Sequence, residues 1–359
     1  MKKSVNLPPV FDGHNDTLTH IYLPDKGQGR SFFERSEIGH IDLPRAKEGA
    51  LQGGICAIFT RPPKSSPESD PYYKAVIDEH GYKVALRSPI EPEYARRFTA
   101  SILELLENML AESHGALGLV RSYDDLTRYW EQGIFSIVLH IEGAAVLRED
   151  LSNLAYYYHQ GVRSLGPVWS RPNLFGTGVP FEFPGSPDTG PGLTEAGKRL
   201  VQECNRLGIL VDLAHLNEKG FWDAAGISQA PLVVSHAGVH ALCPSTRNLN
   251  DAQIDEVANS GGVIGVILGS SNIRSDGKWD RDTPLNDFIR HFEYIIERVG
   301  IDHVAFGSDF DGTTIPESLK DVTRLPQLLA LLYEHGWRGE DLEKIAYKNW
   351  FRVFRETWR

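Results

Sequence analysis

The stretch FSIVLHIEG at residues 135–143 is an almost unbroken apolar run that ends close to a glutamate. A strand with one face in water alternates apolar and polar residues, whereas a strand buried on both faces is a continuous run of Val, Ile, Leu and Phe. Seven similar runs occur along the chain: PPVFDGH at 8–14, GGICAIF at 53–59, GVRSLGPVW at 161–169, GILVDLAH at 208–215, APLVVSH at 230–236, GGVIGVILG at 261–269 and DHVAFGSDF at 302–310. The pattern predicts eight strands of a buried parallel sheet.

Helical stretches separate most of these runs, and several of them end in the glycine that commonly stops a helix. Examples are SILELLENMLAES at 101–113, NLAYYYHQG at 153–161, TEAGKRLVQECNRLG at 194–208 and LNDFIRHFEYIIERVG at 285–300. Eight βα units fit a (β/α)8 TIM-like barrel, an α/β fold of usually ~250 residues that grows by insertions. A doubly wound parallel sheet is the alternative.

Three segments fall outside the eight-unit pattern. Thr60 to about Ser113 is a long insertion after the second strand, Pro-rich at first and then helical. The loop at 171–192 is rich in Gly and Pro, and a loop of this length beside a barrel mouth is predicted to form a lid or a pocket wall. The run GALGLV at 115–120 is predicted to be an edge strand or an excursion rather than a barrel strand.

The composition is that of an ordinary globular protein, and residues 1–359 are predicted to form a single barrel domain. The net charge of −11 argues against a nucleic-acid or anionic-membrane partner, which would require a cationic face. The chain has neither an apolar run of ~18–20 residues nor a hydrophobic leader after its first lysines, so a cytoplasmic location is predicted. Cys56, Cys204 and Cys243 are too few and too far apart to suggest a disulfide framework or a structural zinc site.

Polar residues occur where the apolar runs end. They are His14 and Asp16 on the first run, Glu142 on the third, His215 on the fifth, His236 on the sixth and Asp309 on the eighth. The carboxyl ends of barrel strands share one face, so these side chains are predicted to converge there. Residues two apart in a strand point the same way, which favours joint use of His14 and Asp16.

Three imidazoles with several carboxylates suit Zn²⁺ or a similar divalent ion. Two ions ~3.5–4 Å apart can share a carboxylate, and Glu142 is the candidate bridge. Such a pair activates a water near neutral pH and polarises a carbonyl, so amide hydrolysis is the expected chemistry. Asp309 is either the acceptor of the water's proton or a direct ligand. His140, two residues before Glu142, either shares its face or orients a ligand.

These motifs together resemble the renal (membrane) dipeptidase family of zinc peptidases. The resemblance rests on DGHND at 12–16, IEG at 141–143, VDLAH at 211–215, VSH at 234–236, Arg247-Asn248, GSDFDG at 307–312 and NWFRVF at 349–354. It implies two zinc ions, one held by His14 and Asp16, the other by His215 and His236, with Glu142 bridging. It further implies hydrolysis of L-Xaa-L-Xaa dipeptides by a hydroxide held between the metals, tolerance of a D-residue at the C-terminal position, and a homodimer.

The resemblance also assigns roles to side chains around the metals. Asp309 would manage the proton, and Arg247 would hold the free carboxylate of the dipeptide, for which a guanidinium fork is well shaped. Mammalian members of the family place a histidine, thought to bind the scissile carbonyl oxygen, where this chain has Trp169. Trp169 is therefore expected to form a wall of the substrate pocket, and the neighbouring His159 and Arg171 are candidates to compensate for the lost hydrogen bond.

Two other functions remain open from the sequence. One is another binuclear-metal barrel hydrolase acting on a non-peptide amide or a lactone. Barrels of that kind typically open with HxH and often bridge their metals with a modified lysine, whereas this chain has His14-Asn15-Asp16 and Glu142. The other is a metal-binding barrel without catalysis, for which a missing ligand or base would be expected.

Overall fold

The computed structural model describes residues 7–23, 25–27, 29–70 and 73–358. Within these residues, eight strands run parallel around a central axis. In chain order they are β1 Val10–Asn15, β2 Leu51–Phe59, β3 Phe135–Glu142, β4 Val162–Gly166, β5 Leu210–Val211, β6 Val233–Ala237, β7 Val263–Val266 and β8 Val304–Phe306. Each strand corresponds to one of the eight predicted apolar runs.

The eight strands close into a barrel. Strands β1 to β5 pair in sequence order, and β6 to β8 form a second run of parallel pairs. Parallel bridges between Asp212 and Val233 and between Asn15 and Phe310 connect the two runs on both sides. The predicted (β/α)8 barrel is confirmed, and a doubly wound open sheet is excluded because the first and last strands meet.

The helices surround this barrel. The α-helices are Thr17–Tyr22, Leu43–Glu48, Pro92–Glu112, Tyr123–Glu131, Leu154–Gln160, Glu195–Leu207, Glu218–Ala225, Asp251–Asn259, Ser270–Ile273, Leu285–Val299, Leu325–Glu334, Glu340–Glu343 and Asn349–Thr357. Short 3₁₀ turns lie at Pro67–Ser69, Ala144–Val146, Ile301–His303 and Val322–Arg324, and a π-helical turn spans Lys344–Lys348. Gly161 and Gly208 end their helices in the left-handed conformation, as the sequence predicts.

Strands outside the barrel belong to the three irregular segments. Leu117–Leu119 pairs in parallel with β3 beside the barrel, which confirms that GALGLV is an excursion. In the insertion, Ala75–Asp78 and Gly81–Val84 form an antiparallel hairpin, and Phe181–Phe183 of the long loop pairs with its second strand. Pro172–Asn173 and Gly176–Thr177 pair within that loop. The insertion and the Gly- and Pro-rich loop are thus joined to each other.

The amino end of the barrel interior is apolar. Side chains from seven strands meet there: Phe11, Ile55, Val138, Leu210, Val233, Val263 and Ala305. The C-terminal helix Asn349–Thr357 covers this end with aromatic side chains, and Trp350 is fully buried among them. The indole of Trp350 donates a hydrogen bond to the carbonyl of Phe306 at 2.9 Å and lies over Gly13, where a Cβ would collide with its ring.

No helix in the described part of the chain is long and apolar enough to cross a bilayer. All three cysteines are buried as free thiols.

Candidate metal centre

The carboxyl end of the barrel interior collects the polar residues that the sequence placed at the strand ends. His14, Glu142 and His236 lie on β1, β3 and β6 themselves. Asp16 follows β1 as the N-cap of the helix Thr17–Tyr22, so it is one residue beyond the strand on which it was predicted. His215 and Asp309 lie on loops after β5 and β8.

Glu142 is the centre of this group. Its Oε1 lies 3.0 Å from Nε2 of His215, 3.7 Å from Nε2 of His14 and 3.8 Å from Nε2 of His236. Asp16 Oδ1 is 4.0 Å from His14 Nε2. The side chains therefore form two sets of possible metal ligands that share Glu142, one with His14 and Asp16, the other with His215 and His236.

The electrostatics of the group suit a divalent cation. His14 Nε2 and Asp16 Oδ1 are buried without any hydrogen-bond partner in the described structure. Burial lowers the pKa of His14 well below its usual value and raises the pKa of Asp16 to about 7. The pKa of Glu142 is raised well above its usual value, by burial first and then by the charge of Asp16. A divalent ion binds this set of donors, in which neutral imidazoles face carboxyl groups that are buried away from water.

Hydroxyl groups orient the imidazoles from behind. Ser235 Oγ donates to Asp212 Oδ2 at 2.5 Å and lies 2.8 Å from His236 Nδ1. Because the single proton of Ser235 is directed to Asp212, its oxygen accepts from Nδ1–H of His236, and Nε2 of that ring is left as a free ligand atom. Ser170 Oγ lies 2.8 Å from His215 Nδ1 in the same way.

Asp212, Ser235 and Ser170 were not singled out from the sequence. The only sequence clues are their positions, three residues before His215, directly before His236 and directly after Trp169. Asp212 Oδ1 also accepts from the backbone N–H groups of Ala214 and Ser235, so the carboxylate holds the turn that carries His215. His140 makes a 2.8 Å contact with Ser164 through Nδ1, and its Nε2 lies 3.7 Å from Asp212, which places it behind the ligands rather than among them.

Two residues of the site have strained backbones. His215 has φ +66° and Asp309 has φ +58°, in the left-handed region that costs residues other than glycine roughly 1–3 kcal/mol. His215 O accepts from Val179 N at 2.9 Å, and Asp309 N donates to His14 O at 2.9 Å. These bonds hold both side chains at the mouth of the barrel, where a strand continuing straight would direct them elsewhere.

Asp309 lies beside the metal-ligand group. Burial and the charge of Asp16 raise its pKa well above the usual range, and Arg247 opposes that shift. Gly312 lies against the carboxylates of Asp309 and Asp16. A Cβ at this position would come too close to Asp309 Oδ1 and Asp16 Oδ2. Asp309 can therefore accept and release a proton next to the place where a metal would be bound.

Arg247 is buried, with 5 % of its surface exposed, and its Nη2 donates to the carbonyl of His236 at 3.3 Å. It makes no ion pair with any carboxylate of the described residues. A surface salt bridge, the ordinary role of an arginine in a loop, is thus not what Arg247 does here. Arg247 lines a cavity of about 460 Å³ that also borders Glu142, His215 and Asp309.

The walls of the cavity come from barrel strand ends and from the long loop after β4. Trp169 packs on Phe59 and Phe181, with ring centroids 4.7 and 5.4 Å away, and its ring lies 5.5 Å from that of His215. Arg171 lines the same cavity. His159 does not, because it is exposed on the helix Leu154–Gln160, so the idea that it compensates for the replaced histidine is wrong.

A closed (β/α)8 barrel with buried histidines and carboxylates around a cavity at the carboxyl ends of its strands defines a metal-dependent hydrolase. The comparison with known families is more specific. Residues 3–358 match the model of the membrane dipeptidase family, Peptidase family M19. The chain belongs to this family and is a metal-dependent dipeptidase.

Several solved structures and known sequences are similar to the chain. A metallopeptidase from Rhodobacter sphaeroides, crystallised with a phosphinate mimic of the dipeptide L-Ala-D-Ala, superposes with a TM-score of 0.90 at 42 % identity, covering 98 % of this chain and 100 % of that one. Dipeptidase tcpJ of Claviceps purpurea is 28 % identical over 350 residues, which cover 96 % of this chain and 76 % of that protein. An uncharacterized Klebsiella pneumoniae protein from the pqqA 5′ region is 46 % identical over 257 residues, 72 % of this chain and 95 % of that protein.

Proposed function

We propose that the dipeptidase binds two Zn²⁺ ions, one between His14 and Asp16 and the other between His215 and His236, with Glu142 shared. The observation that carries this proposal is the position of Glu142 Oε1, 3.0 to 3.8 Å from the Nε2 atoms of all three histidines. Imidazole and carboxylate donors with no thiolate favour zinc among the ions common in hydrolases. When bound, such ions supply a nucleophile from water near neutral pH and polarise the scissile carbonyl.

Asp309 is proposed to carry the proton of the reaction. A dipeptide is cleaved when a water oxygen bonds to the carbonyl carbon and the C–N bond breaks. The water then loses a proton and the leaving amine gains one. A carboxylate whose pKa is raised by burial can perform both transfers in turn, first as general base and then as general acid.

Arg247 and Trp169 are proposed to position the substrate. The guanidinium of Arg247 would pair with the free C-terminal carboxylate, and burial of both groups excludes the water that would weaken the pair. Trp169 would pack against the substrate as a wall of the cavity. The Rhodobacter sphaeroides relative binds a mimic of L-Ala-D-Ala, and we propose that this chain likewise accepts a D-residue at the C-terminal position.

The experiment is hydrolysis of L-Ala-L-Ala and L-Ala-D-Ala by protein reconstituted with zinc, together with metal analysis. Two ions per chain and turnover of both peptides are expected. Asp309→Asn should lower kcat by about 10²–10⁴-fold while two ions stay bound. Loss of an ion in that variant would make Asp309 a ligand, and two bound ions without turnover of any dipeptide would contradict the proposed function.

Three further statements stay predictions from the sequence. They are the homodimer, the cytoplasmic location, and the extent of one hydrolase domain over residues 1–359. Light scattering of the purified protein tests the first, cell fractionation the second, and limited proteolysis the third.

A further inference from the structure

Arg171 is a buried cation without a partner. It opens the long loop after β4, only 4 % of its surface is exposed, and its Nε, Nη1 and Nη2 make no hydrogen bond within the described structure. Arg45 is buried to the same degree, but its guanidinium donates to Asp42 at 2.6 Å and to Asp321 at 3.1 Å. An unpaired buried charge is costly, so a fold that keeps one usually has a ligand for it.

Aromatic rings hold this guanidinium at the wall of the catalytic cavity. Its Cζ lies 4.8 Å from the ring centroid of Trp169 and 5.8 Å from that of Phe59. Such cation–π contacts fix the position of a guanidinium but leave its N–H groups free to donate. The ring of Trp169 also packs against His215, so one indole contacts both Arg171 and a residue of the metal-ligand group.

Charges of both signs act on Arg171. Arg87, Glu68 and Arg61 line the cavity from the insertion after β2, and Glu142 adds a smaller attraction from the metal-ligand group. The carboxylate of Glu68 accepts from the N–H and the hydroxyl of Ser88, at 2.8 to 3.2 Å. Among the described residues neither carboxylate forms a hydrogen bond with Arg171, so its guanidinium can still pair with a negatively charged group that enters the cavity.

Arg171 and Arg247 occupy different parts of the cavity wall. Arg247 donates to the carbonyl of His236 and interacts electrostatically with Asp309 and Tyr82, whereas Arg171 lies on the Phe59 and Trp169 rings. If Arg247 binds the α-carboxylate of the C-terminal residue, the scissile carbonyl lies at the metal-ligand group. The side chain beyond the scissile bond, as seen from Arg247, is then that of the N-terminal residue. Arg171 is then free for that side chain.

We propose that Arg171 is a specificity residue that binds the side-chain carboxylate of an N-terminal Glu or Asp, so that the enzyme prefers acidic-Xaa dipeptides. This inference rests on the proposed function, because the direction of the substrate is set by Arg247. A fork of N–H donors and a carboxylate form a bidentate pair, and a hydrogen bond to a charged group contributes about 1.5–3 kcal/mol. The preference over the matching amide side chain should accordingly be about 10–100-fold in kcat/KM.

The test compares isosteric pairs of dipeptides on the zinc-loaded enzyme. Wild-type kcat/KM is measured for Glu-Ala against Gln-Ala, Asp-Ala against Asn-Ala and Ala-Glu against Ala-Gln, with Leu-Ala as a neutral reference. The first two ratios should lie between about 10 and 100, and the third should be near one. Arg171→Met should bring the first two ratios close to one, mainly through a higher KM for the acidic peptides. Lys26→Met, which removes an exposed cation that lines the same cavity, should leave the ratios at their wild-type values.

Several results would overturn the inference. They are wild-type Glu/Gln and Asp/Asn ratios near one, a preference that persists in Arg171→Met, a preference for Ala-Glu instead of Glu-Ala, or an equal loss of kcat on Leu-Ala. The last would show that Arg171 serves the reaction itself. Arg171→Met should melt at or above the wild-type temperature, because it removes an unpaired buried charge, and a lower melting temperature with equal losses on all peptides would make Arg171 structural. Cleavage of neutral peptides without acidic preference contradicts this inference alone, whereas no cleavage of any dipeptide contradicts the proposed function as well.

Discussion

At its amino end the barrel interior is filled by aromatic and aliphatic side chains, whereas at its carboxyl end the same strands present imidazoles and carboxylates. Strand β3 shows the change within one segment. Val138, His140 and Glu142 are two residues apart and point the same way, with Val138 in the apolar layer and Glu142 at the metal centre. The amino end is stabilised by packing alone. The carboxyl end holds buried polar atoms without a hydrogen-bond partner among the described residues, and its left-handed turns at His215 and Asp309 are stabilised by the surrounding fold.

The difference teaches where each kind of substitution should act. Changes at the carboxyl end should affect catalysis and leave the fold intact, because the groups there are already unfavourable without metal. Changes at the amino end should affect stability and leave the chemistry of the folded protein intact.

The largest effect is expected at the shared carboxylate. Glu142→Gln keeps the size of the side chain but removes the charge between the three histidines, so kcat/KM should fall by at least about 10³-fold. The metal-free variant should unfold at or above the wild-type temperature, because a buried carboxyl with a raised pKa is replaced by a neutral amide. Peptide turnover and calorimetry measure the two effects. The comparison between the two ends would be contradicted if metal-free Glu142→Gln unfolded at a temperature well below that of the wild type. The matched control is Glu131→Gln, because Glu131 is exposed.

Next in size is the substitution of the aromatic plug. Trp350→Ala removes a fully buried ring and its hydrogen bond to Phe306, and should lower the free energy of unfolding by about 3–5 kcal/mol. The kcat per folded, zinc-loaded molecule should stay within about twofold of wild type, since the ring lies at the end away from the metals. Urea titration and kinetics at low temperature check both statements. Trp222→Ala, which removes a tryptophan that is 38 % exposed, should cost far less stability.

A smaller effect is expected behind the ligands. Ser235→Ala removes the hydroxyl between Asp212 and His236, so the ring is no longer held in the tautomer that frees Nε2. Zinc affinity should drop by about 10–100-fold with the ligands themselves intact. Competition with a chromogenic chelator measures this, and Ser235→Thr, which keeps the hydroxyl, should recover most of the affinity. Unchanged affinity in Ser235→Ala would remove the orienting role.

The smallest effect concerns a histidine at neither end. His291 is buried on the helix Leu285–Val299, accepts from Val239 N through Nδ1, and its pKa is lowered to about 4 by burial. Below pH ~6.5 His291 is protonated in the unfolded chain but stays neutral in the folded protein. The free energy of unfolding should therefore fall between pH 6.5 and 4, by on the order of 1 kcal/mol per pH unit. Urea midpoints across this range measure the slope. His291→Gln should flatten it, and an equal slope in that variant would assign it to the metal-centre histidines instead.

Much of the fold was accessible from the sequence. The eight apolar runs predicted all eight strands, because strands buried on both faces leave a period-free apolar run, and Gly161 and Gly208 marked their helix ends. The strand ends also placed His14, Glu142, His215, His236 and Asp309 at one mouth, and the structure brings them together. Their roles as ligands and proton carrier stay predictions until metal is bound and activity is measured.

What the sequence could not supply were contacts between distant segments. Successive side chains of a strand point to opposite faces, so the adjacent residues Ser235 and His236 are not expected to face the same site. Both do, because the pairing of β6 with β7 is irregular at this place. Nor did it reveal that Asp212 connects to His236 through Ser235, or that Arg171 lies buried on Trp169 with no hydrogen bond to another described residue.

The sequence by itself determined the eight buried strands and the residue types at their carboxyl ends, because burial patterning is a local property of the chain. Closure of these strands into a barrel was decided by contacts between distant strands, such as that between Asn15 and Phe310. Only the tertiary structure decided how close Glu142 lies to each of the three histidines, which imidazole nitrogen is left free and that the guanidinium of Arg171 makes no hydrogen bond among the described residues. These depend on distances of 3 to 4 Å between side chains far apart in sequence, and the left-handed turns at His215 and Asp309 that set those distances are stabilised by the rest of the fold.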